Sequence, residues 1–301
     1  MKKYLVFDWG GTYLKYGLMD EDAEILEKGK MPSPGKLHTK EIFMELIDET
    51  VSKYRDQISG IAISSPGIID SANGITKVVG VFPYLDGCHL TGEFSKKYSL
   101  PVSIENDAKC AALAELWKGN LKGVNDGAVW VIGTSIGGGI ILNGRLRRGA
   151  NSSAGEFSCV NINNEDPKAK KNYLSELGTP GLCRMVAAKM HIDHTIEGEE
   201  AFVYIIRNEK PALEALKEYT DKLAIQMFNL NIELDLEKIC IGGGISRQPI
   251  LMEYLKNSIE EIRTYHPDII QGMDLPLPVA DVCKFHNDAN LLGALYHFLY
   301  E

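Results

Sequence analysis

Apolar and polar positions follow one another along this chain in short blocks of changing period. Tyr4-Leu5-Val6-Phe7 is an apolar run that ends at Asp8 and predicts a first strand. Asp8-Trp9-Gly10-Gly11-Thr12 breaks it as a turn, and 14–19 resumes with alternating character as a second strand. Asp20-Glu21-Asp22 then turns the chain towards another short strand near Ile25. Between 41 and 54 the period changes: Ile42, Leu46, Ile47 and Val51 fall at helical spacing. A strand over 58–64 is broken by Pro66-Gly67, and 102–104 forms another. The Ala-rich stretch 106–118 predicts a helix, with Gly119 just after it as a stop.

The opening pattern then returns. Residues 128–132 are an apolar strand, 133–139 a glycine-rich turn, and 140–142 a strand that runs into the hairpin signal Asn143-Gly144. Strand, glycine turn, strand, hairpin thus occurs twice, about half the chain apart, as expected of a duplicated domain serving one nucleotide. Further on, 213–230, 250–262 and 290–300 have helical character, and 238–241 is a strand leading into Gly242-Gly243-Gly244. Interleaved strands and helices define an α/β class. Residues 119–127 are the best boundary, which divides the chain into 1–118 plus 290–301 and 119–289.

Composition narrows the function. Among 301 residues, 45% are hydrophobic and the formal net charge is −9, which disfavours nucleic acid as a partner because that needs a basic face. The two basic runs, Arg145 to Arg148 and Lys168 to Lys171, read as solvated surface. The apolar run after Met1-Lys2-Lys3 is too short for a signal peptide, and no later stretch is long enough for a membrane span. Six scattered cysteines, with no CxxC pair, read as buried thiols of a reducing, cytoplasmic compartment.

Three glycine turns follow three apolar strands, and each would present bare backbone N–H groups to phosphate oxygens. One such turn is as well explained by a tight hairpin; three in order are not. None matches GxxxxGK[ST] or a strand-bound GxGxxG. Asp8 stands where Mg²⁺ bridging phosphates needs a carboxylate, Thr12 adds a hydroxyl and Lys15 a positive charge. A turn-capping role is the plainer alternative for Asp8. Glu105-Asn106-Asp107 lies between a strand and a helix. Asp107 suits a base that takes the proton of an acceptor hydroxyl, and Asn106 can both donate to and accept from a neighbouring hydroxyl. Either residue reads equally well as the helix N-cap. Gly155-Glu156-Phe157 offers a carboxylate for sugar hydroxyls, and Ser65-Pro66-Gly67 exposed backbone or only a turn.

Taken together these segments resemble the ROK family (repressor, open reading frame, kinase) within the actin-like, ribonuclease H-like ATPase superfold. Asp8 to Thr12 looks like the phosphate-1 motif, with Gly10 and Gly11. Gly133-Thr134-Ser135-Ile136-Gly137-Gly138-Gly139 looks like phosphate-2, and Gly242-Gly243-Gly244 like the adenosine motif. Ile104 to Ala108 looks like the catalytic segment, which implies Asp107 as general base. Gly155-Glu156 looks like the start of the sugar-binding signature. The resemblance implies two lobes around a nucleotide and sugar cleft, with ATP and Mg²⁺ as cofactors. It also implies sugar contacts from Asn106, Asp107, Glu156 and Gly67, with a homodimer as the assembly.

One departure matters. Most members follow Gly-Glu with a histidine and then a zinc-binding cysteine cluster. Here Cys159 stands at the histidine's place and 160–173 holds neither cysteine nor histidine, so no zinc is expected. A further family glutamate falls at Ser175 or Glu176. The zinc-less pattern and the segment 291–299 resemble the bacterial β-glucoside kinases, which phosphorylate the 6-hydroxyl of the non-reducing glucose of cellobiose. Glucokinase and N-acetylhexosamine kinase are alternatives, and a sugar-sensing regulator is the alternative of a different class. A first core strand beginning at Tyr4 leaves no room for a preceding DNA-binding module in this sequence.

Overall fold

The structure, a computed structural model, describes residues 1–163, 166, 168–169 and 172–301. Lys170 and Lys171 of the second basic run lie outside the described residues, and Lys168 is exposed. The chain divides into two compact units. The first comprises Met1–Lys118, Leu146–Ala154 and Asn287–Glu301; the second comprises Gly119–Arg145 and Gly155–His286. The excursion Leu146–Ala154, which sequence did not announce, is thus part of the first unit.

In the first unit, in chain order, are β1 (Lys3–Trp9), β2 (Tyr13–Asp20), β3 (Ile25–Pro32), α1 (Lys40–Tyr54), β4 (Ile61–Ser65), β5 (Ile68–Asp70), β6 (Ile75–Val78), β7 (Cys88–His89), α2 (Leu90–Tyr98), β8 (Val102–Asn106) and α3 (Asp107–Lys118). The main sheet has the order β3-β2-β1-β4-β8. β1 pairs antiparallel with β2 and parallel with β4, which in turn runs parallel to β8. Every residue of β1 from Tyr4 to Trp9 is buried, as expected of a central strand covered on both faces. β3, at the edge, has Glu27 and Lys28 exposed. β5, β6 and β7 form a small second sheet.

The second unit adds β9 (Gly127–Ile132), β10 (Ile136–Leu142), α4 (Thr179–Met190), α5 (Gly198–Ile206), α6 (Lys210–Leu234), β12 (Lys238–Gly242), α7 (Pro249–Glu261), α8 (Pro267–Ile270) and β13 (Ala280–Val282); β11 (Arg145–Arg147) has its first residue in the second unit and the other two in the first, and α9 (Ala289–Tyr300) belongs to the first unit. Its sheet has the order β11-β10-β9-β12-β13, with β9 antiparallel to β10 and parallel to β12. Each sheet therefore carries a three-strand meander followed by two parallel strands. The doubled sequence pattern is a doubled topology. Its second core gathers around Trp130, Tyr219, Leu223 and Met227, and Tyr219 satisfies its hydroxyl on the Leu177 carbonyl at 2.7 Å.

Two expectations need correction. Cys159 is exposed and Cys88 half-buried, while Cys110, Cys183, Cys240 and Cys283 are buried. In the turn Phe157–Cys159 it is Phe157 that takes the inward position. Arg148 is not solvated surface. It follows β11 directly and is half-buried, paired with Glu105 and Glu301. Among the described residues no helix is long and apolar enough to cross a membrane.

Candidate active site

Asp8, the penultimate residue of β1, is 5% exposed. A carboxylate persists in such a place only when it is paired and hydrogen-bonded. Lys15 faces it across the β1–β2 register, with Nζ 3.2 Å from Oδ2. On the other oxygen, Oδ1 accepts Asn290 Nδ2 at 2.9 Å and the Ser64 hydroxyl at 3.4 Å. Neither Asn290 nor Ser64 was foreseen; they arrive from α9 and β4, far away in sequence. The turn itself is closed by Gly10 N–H on the Tyr13 carbonyl at 3.0 Å, and leaves Gly11 and Thr12 exposed.

The junction of β8 and α3 arranges Glu105, Asn106 and Asp107. Asn106 Oδ1 accepts the Lys109 N–H at 3.0 Å, so Asn106 does cap α3. The same side chain also works from its other end, where Nδ2 donates to the Gly67 carbonyl at 2.9 Å and to Asp107 Oδ1 at 3.1 Å. Asp107 Oδ1 also receives the Ala108 N–H at 2.8 Å. Gly67 has φ +99°, and a Cβ there would lie 2.0 Å from the Val78 carbonyl oxygen, so only glycine lets this carbonyl aim at Asn106. Glu105 is fully buried; its Oε1 accepts the Asn106 N–H at 2.7 Å and its Oε2 the Arg148 Nε at 2.6 Å. Arg148 also donates to Glu301 and meets His297 Nδ1 at 3.2 Å. Burial pulls the Arg148 guanidinium down, but Glu105 and Glu301 outweigh it and hold it above its ordinary value.

Burial first, and then the charge of Glu105, push the Cys110 thiol well above its ordinary value; a bond from Ser64 opposes them, and Asp107 and Asp8 add lesser upward contributions. A thiol so disfavoured as thiolate is no nucleophile.

In the second unit the glycine turn between β9 and β10 bonds Gly133 N–H to the Ser135 carbonyl at 2.9 Å. The Ser135 hydroxyl is enclosed and has no partner among the described residues. Thr134 is exposed and Gly137 half-buried. Gly138 lies so close to its neighbours that a Cβ would stand 2.0 Å from the Val129 carbonyl oxygen and 2.6 Å from the Phe157 ring. Phe157 in turn packs on Trp130 at 5.3 Å between ring centroids, which fixes the half-buried Glu156 just before it.

The third turn leaves β12 at buried Gly242; Gly243 follows at φ +94° and Gly244 faces open space. Gly133, Thr134 and Gly244 line a cavity of about 970 Å³ that continues past Thr179 at the start of α4 to His194 and Glu197. Thr179 N–H is bonded to the Gly133 carbonyl at 2.8 Å, so the N-terminus of α4 abuts the phosphate-2 turn. The volume suits a nucleotide-sized ligand. The α4 terminus and the 192–197 loop carried no motif that sequence reading could seize.

Glu176 stands apart from this cavity. Its carboxylate accepts Arg184 Nη2 at 2.6 Å and borders a separate space of about 530 Å³ with Asn163 and Asn172.

Among the described residues no group of three or more His, Cys, Asp or Glu side chains is placed to hold a metal. Mg²⁺ does not need one: it keeps several waters and binds through one or two carboxylates plus substrate phosphates. Asp8, a carboxylate beside an exposed glycine turn, fits that donor set.

Comparison with known proteins agrees with this reading. The ROK family model matches residues 4–299. A β-glucoside kinase of Listeria monocytogenes is 32% identical, with 99% of this chain and 98% of the relative covered. A β-glucoside kinase of Klebsiella pneumoniae is 30% identical over 98% of this chain and 96% of its own length. A ROK family protein from Streptococcus pneumoniae TIGR4, solved in complex with sucrose, superposes with a TM-score of 0.87 at 30% identity, covering 99% of this chain and 98% of that one.

Proposed function

The chain belongs to the ROK family, has its actin-like ATPase fold and is a sugar kinase, and from that premise we propose that it uses ATP and transfers the γ-phosphate to the 6-hydroxyl of a glucosyl unit in β-glucosides such as cellobiose. The observation that carries the chemistry is the Asp107 carboxylate, held on one oxygen by Asn106 and by its own helix N-terminus. A base for phosphoryl transfer needs a fixed orientation more than an unusual environment, because the proton leaves as the bond to phosphorus forms.

In this reading Asp107 takes the proton from the acceptor oxygen, and Asn106 and the Gly67 backbone orient the sugar beside it. Glu156 accepts bonds from further sugar hydroxyls. Gly133, Thr134, Ser135, Gly137, Gly138 and the Gly242–Gly244 turn receive the nucleotide; Gly10, Gly11, Thr12 and Lys15 address its terminal phosphates. Mg²⁺, held through Asp8 and water, would offset the charge of the transferring phosphate. Glu176, whose carboxylate is paired with Arg184, is a further candidate for a sugar contact.

The acceptor is supported by the relatives named β-glucoside kinase and by Cys159. That residue is exposed and small at the position where most of the family has a histidine, which leaves space for the aglycone of a disaccharide. The neighbour that holds sucrose accepts a ligand of that size. Phosphorus–proton correlation spectra of the product made from cellobiose and ATP test the proposal. Phosphate on C6 of the non-reducing glucose supports it; phosphate at another position, or on the reducing glucose, rules it out.

A further inference from the structure

The hydrogen bonds that reach Asp107 do not stop at Asn106. Read backwards they run from Asp107 Oδ1 to Asn106 Nδ2 at 3.1 Å, from the Asn106 N–H to Glu105 Oε1 at 2.7 Å, and from Glu105 Oε2 to Arg148 Nε at 2.6 Å. Arg148 is anchored from α9 in turn, by Glu301 and by His297 Nδ1 at 3.2 Å. Its side chain is 25% exposed and that of Glu105 not at all. A second tie comes from the same 146–154 excursion: buried Lys109 donates through Nζ to the Ser152 carbonyl at 2.9 Å. The excursion is therefore fastened to the β8–α3 junction on both sides of Asp107 in sequence, at Glu105 and at Lys109.

A buried ion pair is weak evidence for stability, since an apolar pair of similar volume would serve as well or better. What a guanidinium adds is direction. Its planar fork fixes Glu105 Oε2 while a second nitrogen is held by α9, and Glu105 can then present only one geometry to the Asn106 backbone.

We propose that Arg148 is a positioning residue for phosphoryl transfer, which through Glu105 and Asn106 sets the orientation of the Asp107 carboxylate. The inference rests on the reading of Asp107 as the base. A misplacement of about 1 Å at such a group costs on the order of 10²-fold in rate. Arg148 touches neither sugar nor nucleotide in this role, so its loss acts on kcat and leaves KM for ATP unchanged.

The test compares Arg148→Lys, Arg148→Met and the double variant Glu105→Gln/Arg148→Met with wild type, with Asp107→Asn alongside. Rates are measured on whichever of cellobiose and glucose is turned over faster, and are expressed per folded molecule from parallel thermal unfolding. Both single variants should lose roughly 10- to 10²-fold in kcat with KM for ATP unchanged, as the same misplacement cost implies. The acid limb of the rate–pH profile should move to higher pH, because a carboxylate that loses an oriented donor is protonated more readily.

Arg148→Met leaves Glu105 buried and unpaired, so its melting temperature falls as well. The double variant removes that charge and should regain the melting temperature while kcat stays low. Wild-type kcat per folded molecule in either single variant overturns the proposal, as does recovery of kcat together with stability in the double variant. If Asp107→Asn is inactive while the Arg148 variants are normal, only the positioning role falls. If Asp107→Asn keeps wild-type turnover, the base and its positioning residue fall together.

Discussion

In the first unit the turn after the central strand encloses a carboxylate: Asp8 is held by Lys15, Asn290 and Ser64. In the second unit the turn at the same place in the topology, between β9 and β10, has no carboxylate. It has a lone enclosed hydroxyl, Ser135, and a glycine, Gly138, whose neighbours leave no space for a side chain. The strand order around both turns is the same. One backbone frame therefore supports two chemistries, and the side chains brought in from elsewhere decide which. Asn290 and Ser64 hold the Asp8 carboxylate of the first turn in place. The second turn has instead an enclosed hydroxyl with no partner among the described residues.

The comparison can be broken most severely at Asp107, which belongs to the charged unit. Asp107→Asn should lower turnover by roughly 10²–10⁴, the usual share of a general base, while nucleotide binding measured by calorimetry stays within a few-fold of wild type. A parallel loss of nucleotide affinity would mean that the charged and uncharged parts are not separable. Asp8→Asn is expected to cost less, on the order of 10² in turnover, and to raise the Mg²⁺ concentration needed for half-maximal rate. A Mg²⁺ titration of the variant checks this; an unchanged midpoint removes Asp8 from the metal.

Gly243→Ala probes the uncharged side. A side chain at φ +94° and 2.0 Å from the Ile132 carbonyl oxygen forces the backbone to move, with an expected loss of more than about 1 kcal/mol in thermal unfolding. The smallest effect belongs to Ser135→Ala. An enclosed hydroxyl without a partner costs about 1–3 kcal/mol, so its removal should leave the free protein equally or more stable. The extra stability conferred by MgATP should shrink. If Ser135→Ala shifts the Mg²⁺ midpoint instead, the two turns do not differ as described.

Much of this frame could be read in the sequence because it is local. Apolar runs ending in glycine clusters mark the strands and turns, and the helix after Glu105-Asn106-Asp107 begins where its cap predicts. What escaped is what depends on distant partners. Asn290 lies on α9 among apolar residues, and nothing nearby in sequence announces a bond to Asp8. Arg148 was hidden in a run of basic residues, and its partners Glu105 and Glu301 lie far away in sequence.

Helix α2 has Leu90, Phe94 and Tyr98 at regular four-residue spacing, a helical signal that a short segment next to strands makes easy to pass over. Asn106 caps the helix, as one of its two sequence readings has it, and its nitrogen binds Asp107, a bond that neither reading announced.

The most direct measurement is the comparison of kcat/KM for cellobiose, gentiobiose, glucose, N-acetylglucosamine and N-acetylmannosamine, with ATP and Mg²⁺ and no added zinc, each with wild type and Asp107→Asn. The highest values are expected on the two disaccharides, with their collapse in the variant. Turnover confined to the monosaccharides would contradict the β-glucoside acceptor, and undiminished turnover in Asp107→Asn would contradict the mechanism.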